Sequence, residues 1–301
     1  MSDQTARSPS LAGRRVLVTG AAGFIGKHLC EALENRGAQV WRTSRSLGFD
    51  VADPDLVEKI VGEFRPDSVF HMASTVTGSK DPDLVLPTFR NNLLTTVNLL
   101  ASAHRHGVQR MLCLGSLHEH RNNHLESANS PYAVSKFAAT AYARMFASLY
   151  GLSVTVAVPF MVYGPGQADT SKVLPYVIKS LLEGKVPKLS SCRQQFDWIH
   201  VRDVVEGLIA IHDSSGLEGR IVDLGSGELT SVADVVSAAA RTLQMEPLLK
   251  FGALEDRAGE QLRRADIAET RRLTGWLPAL NLASGLVDTV HLYRNQHPET
   301  C

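Results

Sequence analysis

The chain has 301 residues, 44% of them hydrophobic, with 31 basic and 31 acidic side chains for a formal net charge of zero. That balance argues against a nucleic-acid-binding or polybasic membrane surface, and the apolar content suffices for one large α/β domain or two lobes without covalent staples. No apolar run approaches the ~20 residues of a membrane span.

Residues 1–13 are polar and read as a flexible tail rather than a signal peptide. The β-branched run Val16-Leu-Val-Thr19 then ends in Gly20, Gly23 and Gly26, and Lys27-His-Leu-Cys-Glu-Ala-Leu continues with helical periodicity. Strand, tight turn and helix form the context in which spaced glycines bind a dinucleotide. Gly20 takes the turn, Gly23 lets a pyrophosphate approach the backbone, and Gly26 lets helix pack on strand. The helix start offers its N–H groups to the phosphates.

A second strand over about 38–43 leads to Arg42, Ser44 and Arg45, with no carboxylate among them. An acidic residue there favours NAD, whereas arginine pairs with a 2′-phosphate, so the local chemistry points to NADP, with NAD the alternative and two solvated arginines the bland reading. Asp53 before Pro54 caps a helix at 54–64. A third strand runs to His71, followed by Met72-Ala-Ser-Thr75. A helix over 86–106, a fourth strand over 109–115 and Ser116 come next. This alternation means a parallel sheet covered on both faces, with ligands at the carboxyl ends of its strands. Gly20, Ala73 and Ser116 therefore belong around one crevice.

The following helix carries Tyr132 and Lys136, which share a face at i and i+4. A nearby ammonium favours phenolate, so Lys136 is expected to lower the pKa of Tyr132 and fit it for acid/base work. His118, His120 and His124 with Glu119 lack a convincing metal-ligand spacing and read as a solvated loop, and no metal is expected. Cys30, Cys113, Cys192 and Cys301 form no CxxC pair and read as reduced thiols of a cytoplasmic protein.

From about residue 14 to 295 the chain resembles the extended short-chain dehydrogenase/reductases of the nucleotide-sugar epimerase, dehydratase and reductase type. The resemblance rests on Gly20/Gly23/Gly26, Asp50, His71-Met-Ala73, Asn92, Ser116, Tyr132 and Lys136. Val162-Tyr-Gly-Pro165, Trp198-Ile-His-Val-Arg-Asp203, Arg257-Ala-Gly-Glu260 and Leu273-Thr-Gly-Trp276 extend it. It implies a doubly wound parallel Rossmann sheet with a smaller discontinuous α/β substrate lobe. The nucleotide-binding part would be 14–165 and 196–225, the last stretch returning to the sheet, and the lobe 166–195 and 226–296. Helices at 173–183, 231–243, 266–273 and 282–295 fall within the lobe.

The resemblance also implies roles. Ser116, Tyr132 and Lys136 would be the catalytic triad. Phe24, Ile25, Asp50, Val51, Met72, Ala73, Ser74, Asn92, Pro159 and Val162 would join the glycines, Arg42, Ser44, Arg45, Tyr132 and Lys136 around the cofactor. Thr75, Ser116, Arg193 and Arg257 would meet a nucleotide-sugar substrate. Leu117-His118 stand where the 4,6-dehydratases place Asp-Glu, and Leu117 where the 3,5-epimerising reductases place cysteine. Gly115-Ser-Leu-His-Glu119 is similar to a stretch of some 4-keto-sugar reductases. The leading expectation is NADPH-dependent reduction of a 4-keto-6-deoxy nucleotide sugar. The alternatives are a 4-epimerase with retained NAD and a non-catalytic dinucleotide sensor. Helices 86–106 and 132–150 would pair in a homodimer; alternatively Tyr142, Met145, Phe146 and Leu149 simply face the sheet.

Overall fold

A computed structural model describes residues 11–119, 130–256 and 262–296. Strands β1 (Arg15–Thr19), β2 (Gln39–Thr43), β3 (Ser68–His71), β4 (Arg110–Leu114), β5 (Val154–Pro159) and β8 (Ile221–Leu224) form one sheet in the order β2-β1-β3-β4-β5-β8. The pairings from β2 to β5 are parallel. Strands buried on both faces need near-continuous apolar runs, and β3 is buried throughout while β1 is buried at all but its first residue. Between the strands come α1 (Phe24–Asn35), α2 (Pro54–Phe64), α3 (Val85–Thr88), α4 (Thr95–Arg105) and α5 (Pro131–Tyr150).

The chain divides into two compact units. The first comprises residues 11–119, 130–158, 205–222 and 270–276, and the second the remaining described residues. The second has its own sheet of β6 (Met161–Tyr163), β7 (Gln195–His200) and β9 (Leu229–Ser231), in which β6 and β7 are parallel and β9 is antiparallel to β7. Its core sets Tyr163 and Trp198 against α6 (Val173–Leu182), α8 (Val232–Leu243) and α10 (Leu282–Gln296), with Val177, Ile178, Val235 and Leu286 fully enclosed. Helices α7 (Val201–Asp213) and α9 (Ile267–Thr274) run from the second unit into the first.

Three expectations need correction. Residues 196–200 do not return to the main sheet, because β7 exchanges its ladder bonds with β6 and β9; only β8 returns. The helix expected over 86–106 is interrupted by a π-helical stretch, Phe89–Leu94, which carries Asn92 inward. Residues 11–13, expected in the tail, belong to the fold, since Leu11 is buried and Gly13 donates its N–H to the Gly37 carbonyl at 2.8 Å. No helix among the described residues is long and apolar enough to cross a membrane.

Local chemistry explains the elements that carry the site. The Asp53 side chain caps α2, accepting from the N–H groups of Asp55 and Leu56 at 3.0 and 3.2 Å, with Pro54 in the first turn. Ser130 caps α5 by accepting from the Ala133 N–H at 3.2 Å, and Gly151 closes that helix at φ +66°. On α5 the residues Tyr132, Lys136, Ala139 and Ala143 recur at helical spacing and are all buried, so one face of the helix is turned inward.

Candidate active site

Thr19, His71 and Cys113 are in register across β1, β3 and β4. The segments that follow these strands therefore leave the sheet at the same edge. Because β2 lies on one side of β1 and β3 on the other, the edge between β1 and β3 is the topological switch point, where a doubly wound sheet opens a crevice.

The glycine turn is built tightly. Gly20 has φ +66°, and a Cβ there would come within 2.6 Å of the Ala73 backbone nitrogen. At Gly26 a Cβ would run into the Gly20 carbonyl oxygen. Gly23 precedes α1 without a side-chain cap, and no acidic residue occupies the first turn. This cradle fits a dinucleotide: the backbone lies bare, and the N–H groups at Phe24 and Ile25 belong to a first turn whose dipole favours phosphate.

Below the cradle, the Thr19 hydroxyl meets His71 Nδ1 at 2.7 Å and Thr96 Oγ1 meets His71 Nε2 at 3.1 Å. Burial, with the Lys136 charge adding to it, pulls the His71 pKa down to about 3, so the ring is neutral. The Ala73 N–H reaches Thr19 Oγ1 at 3.3 Å, tying the segment after β3 to the end of β1.

Asn92 organises the next layer. Its Oδ1 accepts from the Thr75 N–H at 2.7 Å and the Ser74 hydroxyl at 3.1 Å. Its Nδ2 donates to the Thr75 carbonyl at 3.1 Å and to Ser135 Oγ at 2.9 Å. Ser135 in turn donates to the Tyr132 carbonyl at 2.8 Å. A side chain expected to touch cofactor thus uses its amide to fasten 74–75 to α5.

Ser116, Tyr132 and Lys136 are all buried, and the side chains of Ser116 and Tyr132 are hydrogen-bonded. The expectation that Lys136 lowers the Tyr132 pKa is not met. Burial pushes the phenol up to about 12, the Ser116 bond pulls the other way, and the buried Glu119 carboxylate raises it further. Lys136 Nζ donates instead to the Leu114 carbonyl, and burial lowers its own pKa. Desolvation sets the sign of both shifts.

Around the end of β2 the two arginines separate. Arg42 is gripped by Glu34 of α1, with Nε and Nη2 at 2.9 and 2.7 Å from the two carboxylate oxygens. The expectation that Arg42 faces a 2′-phosphate is therefore corrected: it points back along α1, into an ion pair. Arg45 is exposed and approaches Asn91 Oδ1 at 3.5 Å, while Ser44 and Ser46 share a hydrogen bond at 2.9 Å. Asp50 accepts from the Ala52 N–H at 3.0 Å and pairs with Arg90 at 2.7 Å, and Val51 beside it is buried.

Pro159, Val162 and Arg193 lie in the second unit, Pro159 at the end of β5, Val162 on β6, and Arg193 exposed just before β7. Arg257, His120, His124 and Cys301 fall outside the described residues. Among those described, no group of three or more His, Cys, Asp or Glu side chains is arranged to hold a metal. Cys113 is buried in β4, and desolvation pushes its thiol up to about 12. Residues that the sequence reading left without a role include Ser135, Arg90 and Glu119. Only Glu119 carried a usable signal, its spacing of three from Ser116.

Comparison with known proteins identifies similar chains. A UDP-glucose 4-epimerase from Mycolicibacterium smegmatis is 28% identical over 313 residues, covering 94% of this chain and 99% of that protein. The solved UDP-glucose 4-epimerase of Thermus thermophilus in complex with NAD is 26% identical, with a TM-score of 0.81 over 93% of this chain and 99% of the other. RMD from Pseudomonas aeruginosa, solved with NADPH, is 25% identical, with a TM-score of 0.80 over 94% and 99% of the two chains. The model of the NAD dependent epimerase/dehydratase family matches residues 16–225, and the chain belongs to that family.

Proposed function

We propose that this enzyme reduces a 4-keto-6-deoxy nucleotide sugar to the 4-hydroxy sugar with NADPH. The observation that carries this reading is the buried, hydrogen-bonded Ser116–Tyr132 pair beside Lys136, followed by Leu117 where dehydratase and 3,5-epimerising relatives need acidic residues or cysteine.

Bound NADPH supplies the hydride. Tyr132, its phenol held protonated by burial, delivers the accompanying proton to the sugar oxygen. Ser116 hydrogen-bonds that same oxygen. Lys136 holds the nicotinamide ribose, and its ammonium favours the phenolate that Tyr132 becomes. The glycine cradle, with Phe24 and Ile25, holds the pyrophosphate. Met72, Ala73, Ser74 and Asn92 line the cofactor's path, and the family resemblance assigns Pro159 and Val162 to the cofactor as well. Asp50 and Val51 would hold the adenine, and Arg45 with Ser44 would hold the 2′-phosphate. The family resemblance assigns Thr75, Arg193 and Arg257 to the nucleotide sugar. A cytoplasmic homodimer fits the exposed Leu86, Phe89, Tyr142 and Leu149 on the α3–α4 stretch and α5, while Phe146 of α5 faces inward.

A second reading, a 4-epimerase with retained NAD, is favoured by the epimerase relatives and by the engagement of Arg42 with Glu34, which leaves Arg45 as the arginine for a 2′-phosphate. Absorbance at 340 nm falling with NADPH and a panel of nucleotide keto-sugars supports reduction; indifference across the panel sinks it. NAD carried through gel filtration favours epimerisation. Tyr132→Phe should abolish turnover while dinucleotide binding persists. Unchanged function in that variant would mark a binding protein.

A further inference from the structure

Glu119 is 6% exposed, at the end of the turn that follows β4. Its Oε1 accepts from the backbone N–H of Ser116 at 2.6 Å, while its own N–H returns to the Ser116 carbonyl at 3.0 Å. Ser116 Oγ accepts from the His118 N–H at 3.2 Å. This is a turn closed by its fourth residue: the Glu119 carboxylate takes the Ser116 N–H as in a capping box, but the Ser116 hydroxyl takes the His118 N–H in place of that of Glu119, and the residue so held is the one expected to face substrate. The fit behind it is close, since a Cβ on Gly115 would come within 3.1 Å of Glu119 Oε1 and 2.8 Å of Val158 Cγ2. Lys136 meanwhile donates to the Leu114 carbonyl, so the segment Leu114–Ser116 is gripped by a cation before Gly115 and an anion after it.

We propose that Glu119 is a positioning residue: by closing this turn it fixes the Ser116 hydroxyl as a hydrogen-bond donor aimed at the sugar oxygen. A serine hydroxyl has one hydrogen and two acceptor positions. With an acceptor position filled by the His118 N–H, the hydroxyl is turned so that its one hydrogen is left for the substrate oxygen. The Glu119 charge also favours the ammonium form of buried Lys136 and the protonated form of Tyr132, the pair of states a reduction starts from.

This inference rests on the reductase reading for its kinetic arm, so one arm of the test is independent of substrate. Glu119→Gln keeps an oxygen for the Ser116 N–H and loses the charge; Glu119→Ala loses both. Removing a preorganised donor costs roughly 100-fold in kcat, and a displaced one somewhat less. Glu119→Ala in the full chain should lower kcat by about 10- to 100-fold, with KM for NADPH within about twofold of wild type. Glu119→Gln should recover kcat to within about threefold. Exchange of the Ser116 amide hydrogen, measured without substrate, should be slow in wild type and Glu119→Gln and at least about tenfold faster in Glu119→Ala. Unchanged kcat in Glu119→Ala, or equal losses in the two variants, overturns the proposal. If wild type reduces no keto-sugar, the reductase reading fails and the exchange experiment alone decides: unchanged protection in Glu119→Ala overturns the positioning role, and lost protection upholds it.

Discussion

His71 should make the protein acid-sensitive well above the carboxylate range. Its ring is 3% exposed, both nitrogens are engaged by threonines, and its pKa is pulled from 6.5 to about 3. Between those values the unfolded chain binds a proton that the folded chain refuses, so stability must fall as pH falls through that window. With each tenfold of differential proton affinity worth ~1.4 kcal/mol, lowering the pH from about 7 to about 5 should remove about 2 kcal/mol through this one ring. For a urea m-value of about 3 kcal/mol/M the midpoint moves down by about 0.7 M. The comparison variant is His71→Gln, which keeps hydrogen-bonding capacity and cannot charge. It should be less stable than wild type at about pH 7 by roughly 1–3 kcal/mol and lose about 2 kcal/mol less on acidification. Urea unfolding followed by circular dichroism measures both slopes, and the ring nitrogen shifts of His71 report its protonation directly. A ring that titrates near its ordinary 6.5, or parallel slopes in the two proteins, would refute the reasoning.

Other sites give sharp outcomes as well. Gly26→Ala drives a methyl into the Gly20 carbonyl, backbone against backbone, and should cost roughly 1–3 kcal/mol together with dinucleotide binding, as read by thermal melting and NADPH fluorescence. Arg45→Ala should raise KM for NADPH at least about tenfold. Arg42→Ala should leave that constant within about twofold and cost no more than about 1 kcal/mol of stability, since its Glu34 pair is partly exposed; equal effects of the two would remove the distinction drawn between them. Tyr132 keeps its proton up to about 12, whereas an unfolded tyrosine ionises near 10. Stability should therefore fall as pH rises through that window, and Tyr132→Phe should flatten the decline in urea midpoint between about pH 9 and pH 11.

The order of strands and helices was legible because local signals and global packing agree along most of the chain. Asp53–Pro54 is a cap-plus-proline start, and its helix begins where those residues place it. Gly20 and Gly26 were legible for a stronger reason, as no side chain fits at either position. What failed depends on partners distant in sequence. Residues 196–200 carry the apolar character of any buried strand, and only ladder bonds to β6 and β9 decide which sheet they join. Arg42 sits beside the residues that end β2, but its side chain finds Glu34, eight residues back on α1. The Tyr132–Lys136 spacing correctly implied a shared face, yet the sign of the pKa shift follows from how deeply that face is buried, which spacing does not encode.

Burial and charge together indicate how the site is poised. Lys136 and Glu119 are both enclosed, and a lone buried charge of either sign is costly enough that the group would neutralise instead. Each is answered by a backbone dipole of the same three-residue segment, the Leu114 carbonyl for Lys136 and the Ser116 N–H for Glu119, and each lies within the other's field. His71, which also feels Lys136, stays neutral, so the cation keeps Glu119 as its counter-charge rather than gaining a second positive neighbour. The pair leaves the interior near neutrality, and the Glu119 carboxylate raises the proton affinity of Tyr132. A phenol held in that balance keeps its proton until a neighbouring oxygen becomes basic enough to take it, and hydride arrival at a carbonyl carbon produces such an oxygen. The first unit thus holds Tyr132 as a protonated phenol rather than a standing phenolate.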